Sequence, residues 1–296
     1  MKKITPLVVT DALLTDTDVP ETDHPAWNAA TVYTAGDLVI HTTTHRRYER
    51  RVTGTTATAP ESDPVNWRDI GPTNRWAMFD ASVGTATTQA ATITVEITPA
   101  ANVTGIALLD LDVESVDIEV TVGADVVYSL SVAPVLLDTA TTWFDYFFTS
   151  ILTRDTIVLT DLPPYPDAVI TITLANGSSD VQCGSCIFGE VFDIGDTQYG
   201  AGIGIIDYSK KSTDEFGVTT IVERSYAKRL TARAAVPSGA VDEVARRLAG
   251  VRAKPVVWIG ADGYDSTVIY GWCKDWGVDI SYPTLSFCSL TIEGLT

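Results

Sequence analysis

Methionine, histidine and cysteine are scarce in this chain, at two, three and four residues of 296. The three histidines, His24, His41 and His45, sit close together, so a histidine base elsewhere in the chain is excluded. No G-x-S-x-G, H-E-x-x-H or Walker loop occurs. The glycines of Tyr199–Tyr208 (YGAGIGIIDY) lack the full G-x-G-x-x-G run that opens a nucleotide-binding helix. No apolar run reaches the roughly 18 residues that a membrane span needs. The start, MKKITPLVVTDALLTDTD, has two lysines but no long apolar stretch after them. It reads as a protein made in the cytoplasm without an export signal.

Basic residues are nearly missing from the middle of the chain. Residues 76–200 hold Arg154 alone against 17 Asp and Glu, whereas 1–75 hold 8 basic and 10 acidic residues and 201–296 hold 11 of each. The net charge of −18 comes almost wholly from that middle part. Such a surface repels nucleic acid and resists self-association, and the breaks in charge place boundaries near 75 and 200. The neutral last third suits packing on other protein and is expected to make the main assembly contact.

Cysteine is as sparing in pattern as in number. Cys183-Gly-Ser-Cys186 has redox or zinc spacing, but Cys273 and Cys288 have no close spacing to complete a four-ligand site. The surrounding VQCGSCIFGEVF reads as a strand or bulge. Buried, inert thiols are the expectation, with a disulfide or redox and metal chemistry as alternatives.

What is abundant is Val, Ile and Thr in short alternating runs. ATITVEITP, NVTGIALLDLD, ESVDIEVTV, DVVYSLSV, DTIVLTDLP, AVITITLA and VQCGSCIFGEVF each predict a strand, separated by polar or Pro/Gly punctuation. The expected fold is mainly β, in four parts. Residues 1–23 form a strand (Ile4–Thr10), predicted to pair with the C-terminal domain, and an acidic linker. Residues 24–72 form a small β module, and 75–198 an acidic, jelly-roll-like β-sandwich. Residues 199–296 form an α+β domain in which VTTIVERSY and KRLTARAAVP pair. Its one helix covers Gly239–Val251, with Ser238 as N-cap and a stripe of Val241, Val244, Ala245 and Leu248. In DLDVESVDIEV the acids alternate along a strand face with a slip at Ser115, which predicts a bulge or turn. Calcium needs converging ligands, and alternation spreads these apart, so no metal and no cofactor are expected. Trp143, Tyr146 and Phe147 lie in an aromatic cluster that reads either as core or as a protein-interface hot spot, and they are taken as interface candidates.

The stretch Ala26–Gly71 carries a recognisable unit. Trp27 and Trp67 bracket Tyr33, the turn Ala35-Gly36-Asp37, the strand Leu38-Val39-Ile40, a second strand around Tyr48, and the turn Ala59-Pro60-Glu61. This resembles the small chitin- and cellulose-binding modules of bacterial chitinases. The resemblance implies a polysaccharide binder in which Tyr33 and Trp67 stack on sugar rings. Strand alternation puts Arg46, Tyr48 and Arg50 on one face, and Arg46 and Arg50 are candidates for contacts to acidic groups. The competing reading buries all four rings as the module's own core and leaves the basic strand as a solvated edge.

A second resemblance covers most of the chain from 70 onward. Its residues run in order from Asp207-Tyr208-Ser209-Lys210-Lys211, Asp214 and Phe216-Gly217 to Val222-Glu223-Arg224-Ser225-Tyr226. After the single helix come Trp258-Ile259-Gly260, Tyr270-Gly271-Trp272 and the closing Ser289–Leu295. Together they look like the structural proteins of tailed bacteriophages, of the tail tip or baseplate, some of which carry a chitin-binding-type module near one end. The resemblance implies a non-enzymatic virion role, other tail proteins as partners, a ring-forming homo-oligomer, and contact with cell-surface polysaccharide through an outward-facing small module. A polysaccharide-binding adhesin is the alternative. A glycan hydrolase is a second one, since the acidic middle part could supply paired carboxylates.

Overall fold

A computed structural model describes residues 1–136 and 152–295. Among them the chain is mainly antiparallel β with one α-helix. Strands β1 (Lys2–Pro6) and β2 (Leu14–Thr17) precede the small module, whose sheet is β3 (Leu38–His41), β4 (Arg46–Arg50) and β5 (Trp67–Pro72). A 3-10 turn over Asn74–Phe79 leads into the sandwich. This comprises β6 (Thr87–Ile97), β7 (Gly105–Asp112), β8 (Ser115–Val122), β9 (Asp125–Val132), the short β10 (Val135–Leu136) and β11 (Leu152–Thr153), β12 (Thr156–Leu159) and β13 (Val169–Asp193). The last third holds β14 (Asp196–Thr197), β15 (Gly202–Asp207), β16 (Lys210–Thr213), β17 (Thr219–Val222), β18 (Tyr226–Pro237), helix α1 (Val241–Gly250), β19 (Val256–Ile259), β20 (Val268–Asp279) and β21 (Leu285–Gly294).

Strand β13 organises the sandwich. The two strands expected from AVITITLA and VQCGSCIFGEVF are one bent strand of 25 residues. Its register against β6 shifts between Ala175 and Asp180, where Asn176–Ser179 form an irregular bend. The bend lets the first half pair with β8 and the second half with β7, while β6 follows both. Alternation then turns Ile170, Ile172 and Leu174 inward with Val116, Ile118 and Val120 of β8. Removal of this apolar surface from water is the main stabilising term. The slip at Ser115 is the turn from β7 to β8.

The first strand joins the two large parts. It is Lys2–Pro6, shorter than expected because Pro6 cannot donate to a ladder. Ile4 lies opposite Val191 of β13 on one side and Val257 of β19 on the other. One sheet therefore runs β12-β7-β13-β1-β19-β20-β21-β18-β14, and the change of charge near 200 is no break in hydrogen bonding. Ile4 is fully buried with Ala107, Ile187, Val257, Ile259 and Val268. Gly189 is required at this seam, because a Cβ there would overlap the carbonyl oxygen of Thr5.

The helix starts later than expected. Ser238–Ala240 form a 3-10 turn, Ala240 takes the N-cap position without a side-chain cap, and the Ser238 hydroxyl donates to the carbonyl of Tyr282 at 3.2 Å. Asp242 and Glu243 in the first turn and Arg247 in the last complement the helix dipole. Val244 and Leu248 are buried in a core shared with Leu230, Trp258 and Leu290 of the sheet. The pairing expected between VTTIVERSY and KRLTARAAVP does not form. Thr219–Val222 pairs with Lys210–Thr213, and β18 pairs with β15 and β21.

Candidate functional site

In the small module, Gly36 takes φ +96°, a backbone angle that side chains with a Cβ resist. Asp37 closes the turn by accepting from the Thr34 N–H at 2.6 Å. The turn leads into β3 and is tied to the end of β4 by the Gly36 N–H to Arg50 carbonyl bond at 2.7 Å, and Tyr33, Val39, Tyr48 and Trp67 close into a core with Trp27 against it. Tyr33 is 7% exposed and Trp67 2%. Their rings meet edge to face with centroids 5.1 Å apart, and the Tyr33 hydroxyl accepts from the Asn28 N–H at 2.7 Å. Neither ring offers a flat face to solvent, contrary to the stacking role that the resemblance implies. A module this small needs these rings, with Val39, to fill its core.

Arg50 is also inside. Its guanidinium lies 4.9 Å from the Trp67 ring and donates to the carbonyls of Val52 and Gly54. That position, 3% exposed, puts Nε and one Nη on backbone carbonyls and closes the guanidinium to an acidic ligand. Arg46 remains half exposed but donates to the Asp69 carboxylate and lies 4.0 Å from Asp80. Of the four candidate glycan contacts, the structure leaves only Arg46 at the surface. Trp143, Tyr146 and Phe147 lie outside the described residues.

The module is fastened to the body through His45. The ring nitrogens lie 3.0 Å from Glu21 and 3.0 Å from Asp11, both from the linker before the module. Glu21 also accepts from the Thr73 hydroxyl at 2.9 Å, and Arg75 donates to the Val19 carbonyl at 2.7 Å. A cleft of about 360 Å³ opens at this junction, walled by Thr44, His45, Arg46, Asp11, Trp76 and Asp80. A second cleft, of about 300 Å³, lies between β7, β13 and the C-terminal strands and includes Asp110, Asp155, Ser185, Lys228 and Tyr270. No histidine lines it.

The cysteine pair lies on β13 inside the sandwich. Cys183 and Cys186 are free thiols, buried in its core. Burial, with the charge of Asp110 adding to it, pushes the Cys183 thiol up to about 12, and burial raises Cys186 well above the ordinary range. Neither supplies a thiolate at neutral pH. Among the described residues no three His, Cys, Asp or Glu side chains gather as metal ligands would.

The segment from Gly202 to Tyr226 is the most exposed part of the described chain. β15 pairs with the first half of β18, and the ribbon continues past it as the hairpin β16–β17, whose strands pair only with each other. The carboxylate of Asp214 shapes the tip by accepting from Phe216 and Val218 N–H groups at 2.9 and 2.8 Å. Phe216 at that tip is 91% exposed. Ile203, Ile205, Tyr208, Ile221 and Tyr226 are exposed along the shaft. By register Ile203 and Ile205 share a face with Leu230, which is buried, so the core face of β18 runs on into water. Sequence reasoning weighed GAGIG as a nucleotide cue and missed this arm. The signal was present in the Lys210–Thr213 and Thr219–Val222 runs flanking the turn residues Asp214 and Gly217.

Compared with models of known protein families and with curated proteins, the chain matches none of them.

Proposed function

We propose that this chain is a non-enzymatic structural component of a bacteriophage tail, at the tail tip or baseplate, that assembles through its C-terminal third. The observation that carries the reading is the arm Gly202–Tyr226. A two-stranded hairpin with both faces in water is marginal by itself. An arm that holds Ile203, Ile205, Phe216 and Ile221 in solvent is best explained as one half of an interface. The resemblance of the residues from Asp207 to Leu295 to tail structural proteins gives that interface its setting.

An enzyme is the weaker reading. The buried cysteines are held as thiols, His41 and His45 are engaged with Glu61, Glu21 and Asp11, and His24 lines neither cleft. The adhesin reading loses Tyr33 and Trp67 as stacking faces.

The test is immunogold labelling of purified virions with antibody to this chain, joined to mass spectrometry of the particles. Labelling at the distal end of the tail is the expected result. Particles free of the chain would reject the reading.

A further inference from the structure

The bend of β13 carries the one asparagine–glycine pair in the chain. Asn28, Asn66, Asn74 and Asn102 are followed by Ala29, Trp67, Arg75 and Val103, whereas Asn176 is followed by Gly177. The side-chain amide carbon of an asparagine and the next backbone nitrogen can close a five-membered ring, and both partners are already held in one molecule. A Cβ on the following residue crowds that ring, and glycine has none.

The fold leaves this pair unclamped. On β6, Thr92 lies opposite Ala175 and Ala90 opposite Asp180, so four residues of β13 stand against Ala91 alone. Pairing with β8 ends at Ala175, and pairing with β7 begins at Gln182. Asn176–Ser179 therefore have no register partner among the described residues, and Gly177, Ser178 and Ser179 are exposed to water. Backbone held this loosely can rotate towards ring closure.

The fold also cannot dispense with the glycine. Gly177 takes φ +53°, and a Cβ there would stand 3.1 Å from the Glu114 carboxylate. Any residue able to shield Asn176 is one that the bend resists. The chain's Asp262-Gly263 pair differs, because the Asp262 carboxylate is an anion, a poor electrophile, and lies 3.2 Å from the Lys2 ammonium.

We propose that Asn176-Gly177 is a self-modifying site, at which the folded chain deamidates with water as the only co-reactant. The Gly177 nitrogen attacks Cγ of Asn176. The new N–Cγ bond replaces the bond from Cγ to Nδ2, and Nδ2 leaves as ammonia with the proton that the Gly177 nitrogen gave up. Water then opens the cyclic imide. Addition at Cγ restores the ordinary backbone with an aspartate side chain. Addition at the carbonyl carbon of residue 176 routes the backbone through Cγ, as isoaspartate. Either product adds a negative charge at a bend that already holds Glu114 and Asp180. Either also lacks the amide that donates from Asn176 Nδ2 to the Asp180 carbonyl at 2.8 Å. Isoaspartate further lengthens the main chain where the two halves of β13 are kept in register with β6.

The test follows the full, folded chain during storage at mildly alkaline pH, with circular dichroism as the check on folding and a parallel sample in urea. Peptide mass spectrometry should find a gain of about 1 Da at position 176. It should appear about tenfold faster, or more, than at Asn28, Asn66, Asn74 or Asn102. The folded rate should lie within about tenfold of the rate in urea. Isoaspartate is read by enzymatic methyl transfer to its free carboxylate. Hydroxylamine, which traps the imide, should split the aged chain after Asn176. Asn176→Gln, whose ring would need one more atom, should stay unmodified there; if that variant does not fold, the wild-type measurements decide. A position 176 that stays intact in the folded chain while it converts in urea would overturn the inference. So would a faster change at another asparagine. Neither outcome bears on the tail function.

Discussion

The imidazole of His45 lies on the indole of Trp76, with centroids 4.1 Å apart and planes 21° from parallel. His45 belongs to the turn between β3 and β4, and Trp76 to the 3-10 turn that enters the sandwich. Carboxylates only accept, so the contacts to Glu21 and Asp11 are both hydrogen bonds only when each ring nitrogen donates. His45→Ala is expected to loosen the module from the body by about 1–3 kcal/mol. Most of the effect belongs to Glu21, because Asp11 is largely exposed. Limited proteolysis checks this: cleavage between residues 18 and 25 should speed up in His45→Ala and hardly change in Asp11→Ala.

Lys3 gives the chain an alkaline signature. Its side chain is 2% exposed, and its ammonium donates to the Arg247 carbonyl at the end of α1 at 3.2 Å. Burial, and then the charge of Arg247, lowers Lys3 from 10.5 to about 8. Between those values the unfolded chain holds a proton that the folded chain has lost, so this group makes stability rise with pH across that window. Lys3→Met should remove that rise and stabilise the protein at neutral pH. Urea midpoints of wild type and variant at steps from pH 7 to 10.5 test it, read as the difference between the two. A constant difference would show that Lys3 does not titrate there.

Trp67 is expected to be structural. Trp67→Ala should cost roughly 3–5 kcal/mol, enough to unfold the small module. Arg46→Ala removes a half-exposed pair and should cost roughly 0–1 kcal/mol. Thermal melts of the full chain followed by tryptophan fluorescence separate the two. Equal effects would contradict the burial described for Trp67.

Cys183 and Cys186 should resist alkylation in the folded protein. Iodoacetamide at pH 8 is expected to modify Cys273 first, since it is the only one of the four that is not buried. Its own thiol is pushed up to about 11 by burial, so even this reaction should be slow. Intact-mass measurement over hours gives the order. Early modification of Cys183 or Cys186 would mean that the sandwich opens.

The legible parts of the sequence were those governed by local alternation. ESVDIEVTV announces β8 because Val116, Ile118 and Val120 recur every second residue between acids. The bend in β13 was misread as a break, since Asn176-Gly177-Ser178-Ser179 has the composition of a turn and composition does not say that β6 follows both flanks. Ser238 is a good capping residue by type, but Tyr282, distant in sequence, takes its hydroxyl. In the candidate site the difficulty was of another kind. An aromatic spacing such as that of Tyr33 and Trp67 serves a sugar platform and a small core equally well, and only burial tells them apart. The arm hid for the opposite reason: Thr219–Val222 reads plainly as strand, while its exposure depends on what does not pack against it.

The seam at Ile4 has a consequence for how the chain comes to be folded. One of this strand's two neighbours, β19, ends at Ile259. A ribosome that has released the entire sandwich still holds a molecule in which β1 has one bare side. Contacts so far apart in sequence form slowly, and an uncovered strand is an invitation to another chain. Products that stop short of Val256 therefore keep a sticky edge where finished ones have a continuous sheet. The edge is lost when Val257–Ile259 pair with β1.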